Sequence, residues 1–120
     1  GDQKGNPTSS DDLADAILSI LAVIEKDGWK DSFAGIYHAC GTGETTWHGL
    51  AVAALKDAAT HGQTMPDVTA IRTQDWPTPA KRPADSRMDN SKLTRVFGVT
   101  MPAWQESVRK TVNQIFAQTA

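Results

Sequence analysis

Ala34-Gly-Ile-Tyr-His-Ala-Cys-Gly-Thr-Gly-Glu-Thr-Thr-Trp47 decides how the chain is read. Residues Ala34 to Cys40 are apolar, few and bounded by glycine, which predicts a buried strand. Gly41 to Thr46 then make a tight turn, with Thr45 as the expected N-cap. Trp47 opens a helix that should reach about His61 and stop at Gly62. Strand, turn and helix in succession point to an α/β unit.

N-terminal to this unit, Gly5-Asn6-Pro7 is a turn signal. Thr8, Ser9 and Ser10 offer capping oxygens, and Asp11 and Asp12 put negative charge in a first helical turn, where it suits the helix dipole. Leu13, Ala16, Ile17, Ile20, Leu21 and Ile24 recur at helical spacing, so an amphipathic helix runs to about Lys26 with Gly28 as its stop. C-terminal to the unit, Met65-Pro66 breaks the chain. Val68 to Thr73 alternates apolar and polar like a half-buried strand. Asp89 or Asn90 caps a short helix from Ser91 to Phe97, stopped by Gly98. Pro102 fits the first position of a last helix reaching about Gln118, with Trp104, Val108, Val112, Ile115 and Phe116 on one stripe.

Strands alternating with helices predict an α/β fold with parallel pairing. Two strands make a poor sheet alone, so they are expected to extend a sheet belonging to a missing half. The opening Gly1-Asp2-Gln3-Lys4 lacks a methionine and runs straight into a turn, which suggests a piece of a longer chain.

Between the second strand and the third helix lies Thr73-Gln-Asp-Trp-Pro-Thr-Pro-Ala-Lys-Arg-Pro-Ala-Asp-Ser-Arg87. Pro77, Pro79 and Pro83 fix their own φ, lack an N–H and push the preceding residues toward extended geometry. The run can be neither helix nor central strand. Two readings stand: a solvated linker, or a stiff functional loop whose cations face something anionic. Arg82 and Arg87 carry planar forks suited to phosphate, and Trp76 can stack on a base or a sugar face. Asp75 and Asp85 can accept hydrogen bonds from sugar hydroxyls or pair with the arginines.

The 120 residues suit one domain with a modest core, and the net charge of -2 is spread along the chain. No basic patch suggests nucleic acid. The longest apolar run, Ile20 to Ile24, is too short to span a bilayer. One cysteine, Cys40, rules out an internal disulfide and fits a reducing, cytoplasmic compartment.

Other constellations read as ordinary structure. The turn after Cys40 sits where phosphate loops sit, but Glu44 stands where that loop needs lysine, and Thr46 replaces the third glycine of a dinucleotide fingerprint. His38 and Cys40 would share one strand face, with His48 on the next helix. They are fewer ligands than a structural zinc site takes, and Cys40, late in an apolar strand, reads as core.

Taken together, Asp2-Gln-Lys-Gly-Asn-Pro-Thr8, Gly35-Ile-Tyr-His38, Gly41 to Trp47, Pro77-Thr-Pro-Ala-Lys-Arg-Pro-Ala-Asp-Ser-Arg-Met-Asp89 and Ser91-Lys-Leu93 resemble, in order and spacing, the C-terminal portion of the dTDP-4-dehydrorhamnose reductase family. The resemblance covers nearly the whole chain. It implies the C-terminal substrate-binding segment of an extended short-chain dehydrogenase of Rossmann type, with about four helices, two or three short strands and most of the Rossmann core absent. It implies an oxidoreductase of dTDP-rhamnose and O-antigen polysaccharide biosynthesis that uses NADPH or NADH. That cofactor and the catalytic Tyr-x-x-x-Lys belong to the N-terminal part. The only tyrosine here, Tyr37, is followed four residues on by Gly41 rather than lysine, so this segment should hold the dTDP-sugar and transfer no hydride alone.

By motif position, residues 1–9 form the entry loop and 74–88 a Pro/Arg loop over the ligand. Gln3, Pro7, Thr8, Trp76, Arg82 and Arg87 are the implied substrate contacts. Some members bind Mg2+ near the start of the first helix, where Asp11 stands. The implied partners are the nucleotide-sugar and the N-terminal Rossmann domain, with neither nucleic acid nor membrane. An apolar face left open without that domain predicts homodimerisation or exchange of elements. Two other functions share the fold: a non-catalytic regulatory subunit like that of methionine adenosyltransferase, and another nucleotide-sugar reductase or epimerase.

Overall fold

The computed structural model describes residues 1–119. Four helices carry the chain: α1 (Ser10–Asp27), α2 (Trp47–Ala59), α3 (Ser91–Phe97) and α4 (Trp104–Thr119). Two short strands, β1 (Lys4–Gly5) and β2 (Thr45–Thr46), and two 3-10 turns, Asp31–Phe33 and Thr73–Asp75, complete it. No helix among the described residues is long and apolar enough to cross a membrane.

The α/β expectation of four helices with a small sheet is met, but the strands are elsewhere. β1 pairs antiparallel with β2, Lys4 opposite Thr46 and Gly5 opposite Thr45. Neither Ala34–Cys40 nor Val68–Thr73 is a strand. At Cys40 one side chain takes the place of a strand partner. Asn90 Oδ1 accepts from the Cys40 N–H at 3.0 Å, and Asn90 Nδ2 donates to the Cys40 carbonyl at 2.6 Å. Upstream, among the described residues, no hydrogen bond reaches the N–H of Ile36, Tyr37 or His38. In the second segment, Thr73 N–H donates to the Asp2 carboxylate at 3.0 Å, and the chain turns instead of pairing.

Helix ends follow their capping chemistry. Ser9 caps α1, accepting from Asp12 N–H at 3.1 Å, and Gly28 ends it at φ 76°. Thr46 rather than Thr45 caps α2, accepting from Gly49 N–H at 3.1 Å. α2 ends at Ala59, two residues before His61, because its last turn closes with 3-10 bonds onto Asp57 and Ala58. Asp89 accepts from Ser91 N–H at 2.8 Å at the start of α3, and Gly98 is left-handed at its end. α4 begins at Trp104, not Pro102. The Pro102 carbonyl accepts from Thr42 N–H at 2.8 Å, and Trp104 N–H returns to the Thr42 carbonyl at 3.0 Å, so this stretch is held as a bridge.

The core gathers Ala16, Phe33, Leu93, Phe97, Val99 and Met101, flanked by Ile20, Val23, Ile24, Tyr37, Ala39 and Val96. Phe97 packs on Phe33 and Tyr37 with ring centroids 4.9 and 5.3 Å away. α2 lies along α4, where His61 stacks on Phe116 at 4.6 Å. Ser107 on α4 donates to the buried carboxylate of Asp12 on α1. Part of the expected α1 stripe is not covered: Leu13, Ile17 and Leu21, with Leu18 beside them, are exposed. On α4, Trp104 and Val112 are buried while Ile115 is exposed.

Candidate functional site

Residues 1–8 thread between two other parts of the chain. On one side β1 pairs with β2; on the other, Lys4 N–H donates to the Ala84 carbonyl at 2.8 Å and Ser86 N–H to the Lys4 carbonyl at 3.0 Å. The proline loop therefore returns alongside β1. Asn6 locks the crossing: its Nδ2 donates to the Gly43 carbonyl at 2.7 Å and its Oδ1 accepts from Met88 N–H at 2.8 Å. Nearer the N-terminus, Asp2 accepts from the Thr73 hydroxyl at 2.7 Å and Gln3 donates to it at 3.1 Å.

Two adjoining clefts open on this face. The first, about 360 Å³, lies between Gln3–Pro7, Thr45–Trp47, Leu50, Arg82, Pro83 and Ser86. The second, about 430 Å³, lies between Gly1–Gln3, Ile71–Thr73, Trp47, Trp76 and Arg82. Gln3, Trp47 and Arg82 line both. Among the described residues Arg82 and its neighbour Lys81 make no ion pair.

Arg87 differs. Its Nε donates to Asp85 Oδ1 at 2.9 Å, its Nη2 to Asp85 Oδ2 at 2.6 Å, and its Nη1 to Glu44. Lys4 lies 3.8 Å from Glu44. Hydrogen bonds from Arg87 hold the Asp85 carboxyl down at a pKa of about 2 and lower that of Glu44, while Asp85 and Glu44 raise the guanidinium. The expected pairing of Asp85 with an arginine is present. Asp75 likewise pairs with Arg72, Nε to Oδ2 at 3.3 Å.

Of the expected contacts, Gln3, Pro7 and Arg82 meet in the first cleft, and Gln3, Trp76 and Arg82 in the second. Thr8 lines neither. Its hydroxyl donates to the Asn6 carbonyl at 3.0 Å and accepts from Gly41 N–H at 2.9 Å. This presses Gly41 onto the entry loop so closely that a Cβ there would lie 2.0 Å from the Pro7 carbonyl oxygen. Arg87 stands outside both clefts, beside Asn6, Gly43, Glu44 and Asp85.

Sequence reasoning missed Trp47, whose spacing from Leu50 reads as one more apolar helix position. It also missed Asn6 and the strand-like role of Asn90, for which only the fold supplies a signal. His38 and Cys40 are not brought onto one face: His38 is exposed, and Cys40 is buried with its thiol pKa raised by desolvation. His48 turns to the Val68 carbonyl at 2.9 Å. Asp11 accepts from Gln114 at 3.2 Å, and among the described residues no three His, Cys, Asp or Glu side chains gather as a metal site. The turn before α2 does not fit a dinucleotide phosphate either: Glu44, paired with Arg87, stands where lysine is needed, and Thr46 already occupies the Gly49 N–H.

A family model described as RmlD substrate binding domain matches residues 1–116. The chain belongs to that family. A dTDP-4-dehydrorhamnose reductase of Escherichia coli is 35% identical to this RmlD-type domain over 121 residues, covering 99% of the chain and 39% of that protein. One from Sinorhizobium fredii is 40% identical over 113 residues, covering 92% of the chain and 37% of the relative. The domain thus spans about two fifths of the length of the curated relatives it matches. The crystal structure of a dTDP-4-dehydrorhamnose reductase from Clostridium acetobutylicum superposes with a TM-score of 0.78 at 28% identity, over 95% of this chain and 36% of that one. Another, from Bacillus anthracis in complex with NADP, gives 0.69 at 26% identity, over 91% of this chain and 34% of that one.

Proposed function

We infer that this chain is the nucleotide-sugar-binding part of a dTDP-4-dehydrorhamnose reductase, which reduces dTDP-4-dehydro-6-deoxy-L-mannose to dTDP-L-rhamnose with NADPH. The observation that carries the reading is Arg82, a cation without an ion-pair partner among the described residues, where the two clefts of an RmlD-type domain meet. Its guanidinium takes the diphosphate, with Gln3, Pro7 and Trp76 beside the ligand. Thr8 and Arg87 hold the cleft walls, through Gly41 and through Asp85 and Glu44. The 1–9 entry loop and the 74–88 Pro/Arg loop are the two lips of the site.

The chain's own contribution is orientation. Fixing the sugar relative to a hydride donor makes the transfer effectively unimolecular. The diphosphate, remote from the reacting carbon, supplies binding energy that does not depend on the carbonyl being reduced. The nicotinamide would supply the hydride and be held by the rest of the parent protein: Tyr37 is followed four residues on by Gly41, not lysine, and Glu44 stands where a phosphate loop has lysine.

An unpartnered surface supports a docked dinucleotide half. The chain exposes 8368 Å², against about 6,300 Å² for a compact monomer of its mass. Its radius of gyration is 17.4 Å, against about 14 Å for a compact domain of this length. Ile36 is 83% exposed, and among the described residues no hydrogen bond reaches its N–H or those of Tyr37 and His38, so this segment is open to a docking partner.

NADPH oxidation with dTDP-4-dehydrorhamnose tests the reading. The full-length protein should turn over and residues 1–120 alone should not. Arg82→Ala in the full-length protein should weaken dTDP binding by about tenfold or more, as loss of a charge-assisted bond does. Turnover by residues 1–120, or dTDP binding unchanged in Arg82→Ala, would end it. A second reading, reduction of a different keto-deoxysugar, is favoured by a Streptomyces antibioticus relative called a probable dTDP-4,6-dihydroxy-2-methyloxan-3-one 4-ketoreductase, 31% identical over 118 residues.

A further inference from the structure

Two indoles stand open on the cleft face. Trp47 at the start of α2 is 69% exposed and Trp76 in the proline loop 71%. Leaving them in water forgoes the burial that makes tryptophan valuable in a fold. Neither takes part in the aromatic stacking of the described residues, which joins Trp29, Phe33, Phe97 and Tyr37, and His61 with Phe116. Yet both line the second cleft, 29 positions apart in sequence (76 minus 47).

The clefts differ in what they offer. The second alone has both indoles, with Ile71 and the ion-paired Arg72 just ahead of the Thr73–Asp75 turn. Its one carboxylate, Asp2, is held by Thr73 and does not line the first cleft. The first shares Trp47 and adds Lys4 and the polar residues Asn6, Thr45, Thr46 and Ser86, around Pro7, Leu50 and Pro83. Arg82 belongs to both. A ligand with a flat aromatic end, an anionic middle and a polyhydroxyl end matches that order of surfaces.

We propose that Trp47 and Trp76 form a base-stacking subsite in the second cleft, which sets the direction of the nucleotide-sugar: base on the indoles, diphosphate at Arg82, sugar in the first cleft. The inference rests on the nucleotide-sugar reading above and adds to it Trp47 and an orientation. Base–aromatic stacking tolerates any base, because every base has a π face. The subsite therefore provides affinity and direction, and leaves the choice among thymine, uracil and guanine to edge contacts.

The test is equilibrium binding to the full-length protein of two probes, dTDP and inorganic pyrophosphate. Trp47→Ala and Trp76→Ala should each weaken dTDP about tenfold, and leave pyrophosphate unchanged. Trp76→Phe, which keeps a π face, should recover most of the loss. Two results overturn the proposal: dTDP affinity within twofold of wild type in the double alanine variant, or an equal loss for pyrophosphate, which would make the indoles mere supports of the wall. If the unsubstituted protein binds pyrophosphate but not dTDP, or neither, the nucleotide reading itself falls and the subsite falls with it.

Discussion

The α1–α3 core and the cleft face are built on different principles. In the core, Leu93 is 1% exposed and packs among Phe33, Phe97, Val99 and Met101. On the cleft face, every residue from Ile71 to Asp89 is exposed, and order comes from polar contacts between residues 70 or more positions apart, such as Gln3–Thr73 and Asn6–Met88. A core of this kind resists change through volume. A face of this kind depends on a few directional bonds and on prolines that limit the unfolded chain.

The sharpest test of that contrast is Leu93→Ala. It should destabilise by about 2–5 kcal/mol through the cavity it leaves, read by urea unfolding of the full-length protein. A cost below that of any cleft substitution would erase the distinction. Gly41→Ala comes next. Its Cβ would meet the Pro7 carbonyl oxygen at 2.0 Å, so the entry loop must move, at a cost of about 1–3 kcal/mol. Because that loop lines the first cleft, dTDP binding should fall as well. Stability lost with binding intact would mean that the loop and the ligand are independent.

Arg87→Ala should have the smallest effect on folding, since exposed ion pairs are screened. It should weaken dTDP binding less than Arg82→Ala does. The Asp85 and Glu44 carboxyls are held below their ordinary pKa values in the folded protein. Their contribution is therefore complete above the unfolded carboxylate range near pH 4, and is lost for Asp85 as pH falls through about 2. Carboxyl-carbon NMR titration of Asp85 should show its midpoint well below that of a free aspartate, and Arg87→Ala should restore the ordinary value. A titration unmoved by that substitution would remove Arg87 from the network.

The two regions were also unequally legible. α1 and α3 were readable almost to the residue, because capping oxygens, 3.6-residue periodicity and stop glycines act within a few positions. Ala34–Cys40 misled for a physical reason: apolar, glycine-bounded sequence reports a segment's wish to be covered, not what covers it. Here the Cys40 end is satisfied by the Asn90 side chain and the Ile36 carbonyl by Lys92, while among the described residues no hydrogen bond reaches the N–H of Ile36, Tyr37 or His38. Of the candidate site, Gln3, Pro7, Trp76 and Arg82 could be listed from motif order. Their meeting could not, and neither could the sequestering of Arg87 by Asp85 and Glu44.

The amino-acid sequence by itself determined the helices, the stiffness of the proline loop and the family, since these rest on local sterics and on motifs in a fixed order. Only the tertiary structure decided that Arg87 of the proline loop is ion-paired while Arg82, among the described residues, is not, where the two indoles open and which strands pair. Each of those depends on contacts between residues tens of positions apart, whose geometry no local pattern encodes.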